Sequence, residues 1–566
     1  MAENIVIIGA VALGPKVACR AKRLKPDANV IMLDQQELIS YGGCGIPYLI
    51  SGDVSDPDQL RETSFHILRD EKFFKDCKGV NVLLKTRAVA IDRSKKKVLV
   101  EDLKDGSQKE IPYDKLVIAT GSRPRKLNIP GGELPGVVAI SSLEDAIQIR
   151  EGLIKGAIGK VAIIGAGAIG LEMAEALTEM WGIETYVIEI MDQILPGIVS
   201  YEMAKMAQHH MEKNGVKFFL NERVLSFEGK DKVERVITDK RTLEVDLVIT
   251  AIGVEPNSQL AKDAGLEVTE WGGIIVNEYM QTLDPDIYAG GDCVAIPNLV
   301  TGKLGYFPLG SLANRQGRVI GTNVVGGKAK FDGAVGSFVI KLFDLAVAST
   351  GLCPERAKRE GFEAISAFVA QFDRAHFYPE KEMMFLELVV EKDSGRVLGL
   401  QGLGRSKDAV MGRISAVAGL LKHKVHVSEI SNLELPYSPP FSSAMDVLNA
   451  VANTAENILS GRAEVISLRE FAEIWKQKED FLFLDCREWG NAKTYVEKYP
   501  EIWKNIPQGQ LRYRIDEVPR DKKVILICNT GVRSYEAQLI LKEKGYNNTY
   551  NLQGGMAAVK EWGLEV

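Results

Sequence analysis

Apolar runs that stop abruptly at glycine organise the first third of the chain. Ile5-Val6-Ile7-Ile8 is apolar throughout, as a parallel strand buried on both faces requires, and Gly9-Ala10-Val11-Ala12-Leu13-Gly14 follows at once. The pattern then takes helical periodicity through Leu24, and a second strand over 30–33 ends at Asp34. The same succession returns at 161–164, with Gly165-Ala166-Gly167-Ala168-Ile169-Gly170, a helix to Met180, a strand over 185–188 and Glu189 at its end. Each is a βαβ unit whose glycine turn opens a helix. That arrangement seats a dinucleotide pyrophosphate on the helix N-terminus and offers a carboxylate to the ribose. The second turn has all three glycines of G-x-G-x-x-G, Gly165, Gly167 and Gly170; the first keeps Gly9 and Gly14 but has Val11 at the middle position.

Shorter apolar segments, 116–118 and 286–288, precede Ala119-Thr120-Gly121-Ser122-Arg123-Pro124 and Ala289-Gly290-Gly291-Asp292-Cys293, where glycines admit close approach of a ligand. Residues 331–445 mix elements: alternation over 385–390 predicts a strand, and 406–421 predicts a long helix. From about 450 the pattern loosens, so 446–463 is expected to be a linker. A further βα domain follows over 464–566, with strands at 481–485 and 523–527 and a helix over 534–544 ended by Gly545.

The chemistry centres on two cysteines. Cys44 stands in Ser40-Tyr41-Gly42-Gly43-Cys44-Gly45-Ile46-Pro47-Tyr48, just after the first dinucleotide unit. Gly45 and Pro47 predict a helix opening there, and a helix N-terminus stabilises a thiolate. No second cysteine lies within ten residues, so the sulfur that completes a disulfide must arrive with the substrate. Cys528 opens Cys528-Asn529-Thr530-Gly531-Val532-Arg533-Ser534 at a strand-to-helix turn. Its backbone N–H groups converge on one point, which favours a thiolate able to carry a persulfide, with Arg533 attracting an anionic sulfur donor.

At 566 residues the chain should form three or four domains. Hydrophobic residues at 46% and charged ones at 26% describe an ordinary globular protein, and the net charge of −6 argues against a nucleic-acid binder. Seven cysteines without a CxxC pair argue against a zinc site or a secreted disulfide framework, so no metal is expected. The N-terminus, Met1-Ala2-Glu3-Asn4-Ile5-Val6, enters a strand at once, and no apolar run reaches about 18 residues, so no membrane association and a cytoplasmic location are expected.

The order G-x-V-A-x-G, Ser-x-x-x-Cys-Gly-x-Pro-Tyr, ATGSRP, G-x-G-x-x-G-x-E and AGGDC resembles the single-cysteine flavin disulfide reductases over residues 1 to about 450. These include coenzyme A disulfide reductases, NADH oxidases and peroxidases, and persulfide or polysulfide reductases. With Asp485-Cys486-Arg487-Glu488 upstream and Leu552-Gln553-Gly554-Gly555-Met556 downstream, the Cys528 loop resembles a rhodanese domain. The fold class implied is α/β: two Rossmann-like domains, an α+β dimerisation domain and a C-terminal α/β rhodanese domain. The expected boundaries are 1–150 and 255–330 for FAD, 151–254 for NAD, 331–445 for dimerisation and 464–566 for rhodanese.

The resemblance implies that Gly9, Val11, Gly14, Asp34, Thr120, Gly121 and Asp292 bind FAD, with Asp292 on the ribityl chain. Gly165, Gly167, Gly170, Glu172 and Glu189 would bind NADH, with Glu172 near the nicotinamide and flavin rings. Glu189 with no arginine or lysine in the four residues after it favours NADH over NADPH. Tyr378 and Tyr437 match the paired tyrosines that reach across the dimer toward the reactive sulfur. Arg23, Phe73 and, allowing a one-residue gap, Lys78 match a grip on coenzyme A, with Arg20 and Lys22 as nearby alternatives. Gly43 stands where many coenzyme A disulfide reductases have asparagine, which implies a wider, less polar pocket beside Cys44. The expected activity is an FAD- and coenzyme A-dependent NADH:persulfide or polysulfide reductase working as a homodimer, with Cys528 supplying sulfur. Coenzyme A disulfide, coenzyme A persulfide and inorganic polysulfide all remain open as acceptors, and a coenzyme A disulfide reductase or an NADH oxidase or peroxidase cycling a sulfenic acid is the alternative.

Overall fold

The computed structural model describes residues 3–477 and 481–566; Met1 and Ala2 of the N-terminal run and residues 478–480 lie outside the described residues. The chain divides into two compact units, Met1–Ile190 with Val216–Ala334, and Met191–Gly215 with Val335–Val566.

The first unit contains two parallel five-stranded sheets built on one plan. In one, Ile287–Ala289, Lys115–Ile118, Asn4–Ile8, Asn29–Leu33 and Val80–Leu83 lie side by side in that order. In the other the order is Lys217–Leu220, Glu184–Glu189, Lys160–Ile164, Leu247–Thr250 and Val137–Val138. The strand that feeds each glycine turn is flanked on both sides, by the strand its own helix leads to and by one from later in the chain. Those central strands are therefore apolar without alternation.

The second unit holds an antiparallel sheet ordered Phe338–Leu342, Leu345–Gly351, Val397–Gly404, Met383–Glu391 and Ala364–Phe372. The strand expected over 385–390 is present as Met383–Glu391, but it is covered on both faces, because Met384 through Val390 are all buried. Neighbouring residues show why both faces are covered. Gly402 faces Val410 and Ile414 of the helix Lys407–Leu421, whereas the Gln401 side chain accepts the Ser200 N–H at 2.5 Å, at the start of the helix Tyr201–Lys213.

Glu387, opposite Gln401, is buried on that second face and accepts hydrogen bonds from Ser200 Oγ and Ser366 Oγ. Burial first and then the Glu202 charge push its carboxyl up to about 8. The folded state thus holds a proton that the unfolded chain releases at ordinary carboxylate pH, so stability falls as pH rises from about 4.5 to about 8. Glu387→Gln is expected to flatten that slope and raise the denaturation midpoint at pH 9 by the equivalent of a few kcal/mol at most, on the order of 1 to 4. Urea titrations of both proteins at pH 6 and pH 9 measure it; parallel slopes would remove the assignment.

The linker expected over 446–463 is also corrected. Val447–Leu459 is a helix capped by Asp446, and it buries Val447, Leu448, Val451, Ala452 and Ala455. Its apolar positions fall at i, i+4 and i+8, so it packs as an amphipathic helix against Ala364–Phe372 and Met383–Glu391. Beyond it, Val465–Ile466, Thr549–Leu552, Lys523–Ile527, Phe481–Asp485 and Trp503–Asn505 form a parallel sheet. This domain is docked rather than tethered. Gln553 accepts the Phe368 N–H at 2.6 Å and donates to the Ser366 carbonyl oxygen at 3.4 Å, so its amide continues the ladder of the edge strand Ala364–Phe372.

Candidate active site

The two glycine turns use the same bonds. Gly9 N–H donates to Leu33 O and Gly165 N–H to Ile188 O, both at 2.8 Å. Ala10 N–H donates to Asp34 Oδ2 at 2.7 Å and Ala166 N–H to Glu189 Oε2 at 2.8 Å. Each carboxylate at a strand end therefore braces the turn beside it. Gly9 (φ +111°) and Gly165 (φ +106°) lie in backbone space that side chains disfavour, and a Cβ there would strike Ala119 O at 2.1 Å or Ala251 O at 2.5 Å. A Cβ on Gly14 or Gly170 would strike the carbonyl oxygen of the first glycine. Gly167 differs, since a Cβ there would meet nothing within 4 Å. The middle position faces open space, which is where a pyrophosphate approaches; in the first unit Val11 stands there, the bonds made by Gly9 and Ala10 are kept, and the helix begins at Leu13, one residue later than its counterpart at Ala168. The residues present fit two dinucleotides.

Thr120 and Gly121 are held by Asn257, which the sequence reading missed. Thr120 Oγ1 donates to Asn257 O at 2.6 Å, Asn257 Nδ2 donates to Thr120 O at 3.0 Å, and Asn257 N–H donates to Gly121 O at 2.9 Å. Ser122 Oγ donates to Asp292 Oδ2 at 3.1 Å, joining the two loops singled out by their glycines. Asn257 lies in a second chain segment, and only the antiparallel pairing of Ser122–Pro124 with Val254–Pro256 brings it to this turn.

Cys44 sits on the one-turn helix Gly43–Gly45 that leads into Ile46–Ser51, with proline in its first turn as expected. It is exposed, and a Cβ on Gly310 would lie 3.6 Å from its Sγ. Against the stabilisation expected from a helix start, the surrounding protein first, then the Glu172 and Asp292 carboxylates, push the thiol up. Glu172 is itself pushed up to about 7 by burial and by Glu175, so it exchanges a proton near neutrality. Glu175, buried on the same helix Ala168–Trp181, was not anticipated.

Arg23, Phe73 and Lys78 share one surface. Lys78 Nζ lies 4.9 Å from the Phe73 ring centroid, and the Arg23 and Lys78 charges both act on the Cys19 thiol, which burial raises. The alternatives are otherwise engaged: Arg20 Nε donates to Thr322 Oγ1 at 3.1 Å, and Lys22 Nζ to Ala28 O at 2.9 Å.

In the second unit, the loops of Tyr378 and Tyr437 lie side by side, joined by Ala375 N–H donating to Pro439 O at 3.3 Å and Ser443 Oγ donating to Arg374 O at 3.0 Å. Tyr378 is half-buried and Tyr437 is 52% exposed. Both tyrosines belong to this unit and Cys44 to the other. Cys528 is buried, and its Sγ accepts from Gly531 N–H and Ser534 Oγ, each at 3.1 Å. The helix after it begins at Val532, two residues earlier than expected, so Arg533 lies in its first turn.

The pyridine nucleotide-disulphide oxidoreductase model matches residues 3–306, and that family's dimerisation domain matches 337–448. The chain belongs to this family. A rhodanese-like domain matches 468–561. An NADH oxidase of Methanocaldococcus jannaschii is 35% identical over 81% of the chain and 99% of its own length. A coenzyme A-dependent NAD(P)H sulfur oxidoreductase of Pyrococcus abyssi is 34% identical over 80% of the chain and 97% of its own length. The solved structure of an NAD-dependent persulfide reductase from A. fulgidus superposes with a TM-score of 0.92 at 40% identity, covering 98% of this chain and 99% of that one. The expected α/β class, with two dinucleotide domains, a dimerisation domain and a rhodanese domain, is therefore borne out. Among the described residues, no helix is long and apolar enough to cross a membrane.

Proposed function

We propose that the protein is an FAD- and coenzyme A-dependent NADH:persulfide or polysulfide reductase that returns sulfane sulfur as hydrosulfide at Cys44, supplied through Cys528. One observation carries the reading: a single chain holds two differently built sulfur sites, an exposed thiol in the dinucleotide-binding unit and a buried one cradled by donors at a helix start. The A. fulgidus and P. abyssi proteins support it, the first over the full length including the rhodanese domain.

Cys44 sulfur attacks the inner sulfur of a coenzyme A persulfide, the bond to the outer sulfur breaks, hydrosulfide leaves, and a Cys44–coenzyme A disulfide remains. The chemistry supplied by FAD and NADH, once bound, is the two-electron reduction of that disulfide. Gly9, Val11, Gly14, Asp34, Thr120, Gly121 and Asp292 hold FAD; Gly165, Gly167, Gly170, Glu172 and Glu189 hold NADH. When Glu172 carries its proton, one of the two charges opposing a Cys44 thiolate is gone. Arg23, Phe73 and Lys78 grip coenzyme A. In a homodimer, Tyr378 and Tyr437 donate hydrogen bonds toward the reactive sulfur of the other subunit, and the exposed Phe377, Tyr437, Phe441 and Met445 of the dimerisation domain become covered.

Intact mass of the native and the reduced protein tests the reading. A thiol-labile adduct with the mass of coenzyme A supports it. A one-oxygen adduct favours a second reading, suggested by the M. jannaschii relative, in which Cys44 cycles through a sulfenic acid as in an oxidase or peroxidase.

Glu189 also sets nucleotide choice. Its buried carboxylate accepts from a ribose 2′-hydroxyl and repels a 2′-phosphate, a difference on the order of 1 to 3 kcal/mol. The ratio of kcat/KM for NADH over NADPH is expected to be roughly ten to a hundred. Equal or better use of NADPH would show that Glu189 is not at the ribose.

A further inference from the structure

Cys486 follows the strand Phe481–Asp485 and Cys528 follows Lys523–Ile527. These strands are parallel neighbours with Asp485 opposite Ile527, so the two cysteines occupy matched positions one residue past the paired segment. The Cys486 N–H donates to Ile527 O at 2.8 Å, which carries the ladder up to the cysteine itself. Adjacent strands lie about 4.8 Å apart, within the Cα separation of about 4.4 to 6.8 Å that a disulfide spans. Cys486 packs with Leu484, Leu526, Ala537 and Leu541 on the side covered by the helix Val532–Glu543. Ser534 of that helix donates to Cys528 Sγ, so both sulfurs face the same helix. Asn505 Nδ2 pins the turn that carries Cys486, donating to the carbonyl oxygens of Asp485 and Arg487, each at 2.8 Å. Cys486 is 0% exposed and Cys528 1%. Burial raises the Cys486 thiol most, followed by the Cys528 and Asp485 charges, while Arg533 pulls it down.

We propose that Cys486 is the resolving thiol of a sulfur-loaded Cys528. The proposal rests on the reading of Cys528 as a sulfur carrier. Cys528 takes the outer sulfur of a sulfane donor such as thiosulfate, which leaves as sulfite, and becomes a persulfide. Cys486 sulfur then attacks Cys528 Sγ. The bond from Sγ to the outer sulfur breaks, and that sulfur leaves with the electron pair as hydrosulfide, the Cys486 proton passing to it or to water. The sulfane sulfur is reduced by two electrons and the two cysteines are oxidised to a disulfide. The order of events follows from the sulfur chemistry: before loading, Cys528 Sγ carries no leaving group, whereas in the persulfide it is bonded to an outer sulfur that can leave, and Sγ becomes the electrophile. The closed disulfide then blocks loading until a dithiol reopens it, so sulfur for which no acceptor thiol arrives is discharged as sulfide.

The full-length protein, pre-reduced and freed of reductant, is incubated with thiosulfate without oxygen and read by intact mass and peptide mapping. The wild type is expected to lose about 2 Da, reversibly with dithiothreitol, and to yield a crosslinked Cys486–Cys528 peptide. Cys486→Ala and Cys486→Ser are expected instead to gain about 32 Da at Cys528 and to lose nothing. A wild type that keeps the added sulfur on Cys528 to the same extent as Cys486→Ala overturns the resolving role while leaving the carrier role standing. Absence of any sulfur adduct or disulfide in all three proteins overturns the carrier reading and this proposal with it. The crosslinked peptide is sought in the wild type, so the outcome does not depend on how well either variant folds.

Discussion

Cys44→Ser is expected to lower NADH-dependent persulfide reduction by about a thousandfold or more while the protein retains its flavin. The substitution removes a soft nucleophile and nothing else of consequence: Cys44 is exposed, makes no part of the apolar core, and sits on a short turn whose hydrogen bond, Gly45 N–H to Gly42 O at 2.8 Å, is backbone to backbone. The dinucleotide turns depend on Gly9, Gly14, Gly165 and Gly170 and on the braces from Asp34 and Glu189, none of which the change touches. A serine hydroxyl is neither acidic nor polarisable enough to attack a persulfide in the field of Glu172 and Asp292, which opposes even the more acidic thiol. Sulfide release under anaerobic conditions, with flavin absorbance per chain as control, measures the effect. Turnover above about a tenth of wild type with full flavin would place the sulfur chemistry elsewhere.

What the sequence showed well is what local physics writes into it. The two βαβ units are legible because a strand flanked on both sides must be apolar throughout, and because Gly9, Gly14, Gly165 and Gly170 sit where any side chain would meet a carbonyl oxygen. Cys44 stands out by its glycines and proline, Cys528 by the loop between strand and helix. The misses concern long-range partners. Glu387 in the run Met383–Glu391 imitates an outward-facing position, and only the arrival of Ser200 from nearly two hundred residues away buries it. Val447–Leu459 has a narrow apolar stripe on a chain of small residues, which reads as loose until a sheet lies beneath it. Asn257 and Cys486 acquire meaning only from the strand pairings that set them beside Thr120 and Cys528. The upward push on the Cys44 thiol was hidden for the same reason, since the protein that surrounds it, and then Glu172 and Asp292, reach it through the fold and not through the sequence.

Cys528→Ser separates the two sulfur sites, and its largest effect is expected on one activity alone. Transfer of sulfur from thiosulfate to a thiol acceptor should fall by about a thousandfold, because the loop around residue 528 keeps its shape but loses the atom that carries sulfur. Gly531 N–H and Ser534 Oγ, which now meet Cys528 Sγ at 3.1 Å, would then meet a hydroxyl that forms no persulfide. Reduction of preformed coenzyme A persulfide should stay within about twofold of wild type, since a small diffusible substrate needs no carrier to reach Cys44. Cys44→Ser should show the converse. The docked domain sharpens the comparison. Gln553 ties the rhodanese domain to the strand Ala364–Phe372, and Val447–Leu459 replaces the flexible segment that would have let it wander, so within its unit Cys528 has a fixed place. In the proposed reading, free coenzyme A is the courier between the sites. If Cys528→Ser loses reduction of preformed persulfide as completely as Cys44→Ser does, sulfur passes directly from one cysteine to the other and the courier is unnecessary. If it loses neither activity, the C-terminal domain serves docking alone, and the argument from two sulfur sites in one chain to the substrate of Cys44 fails with it.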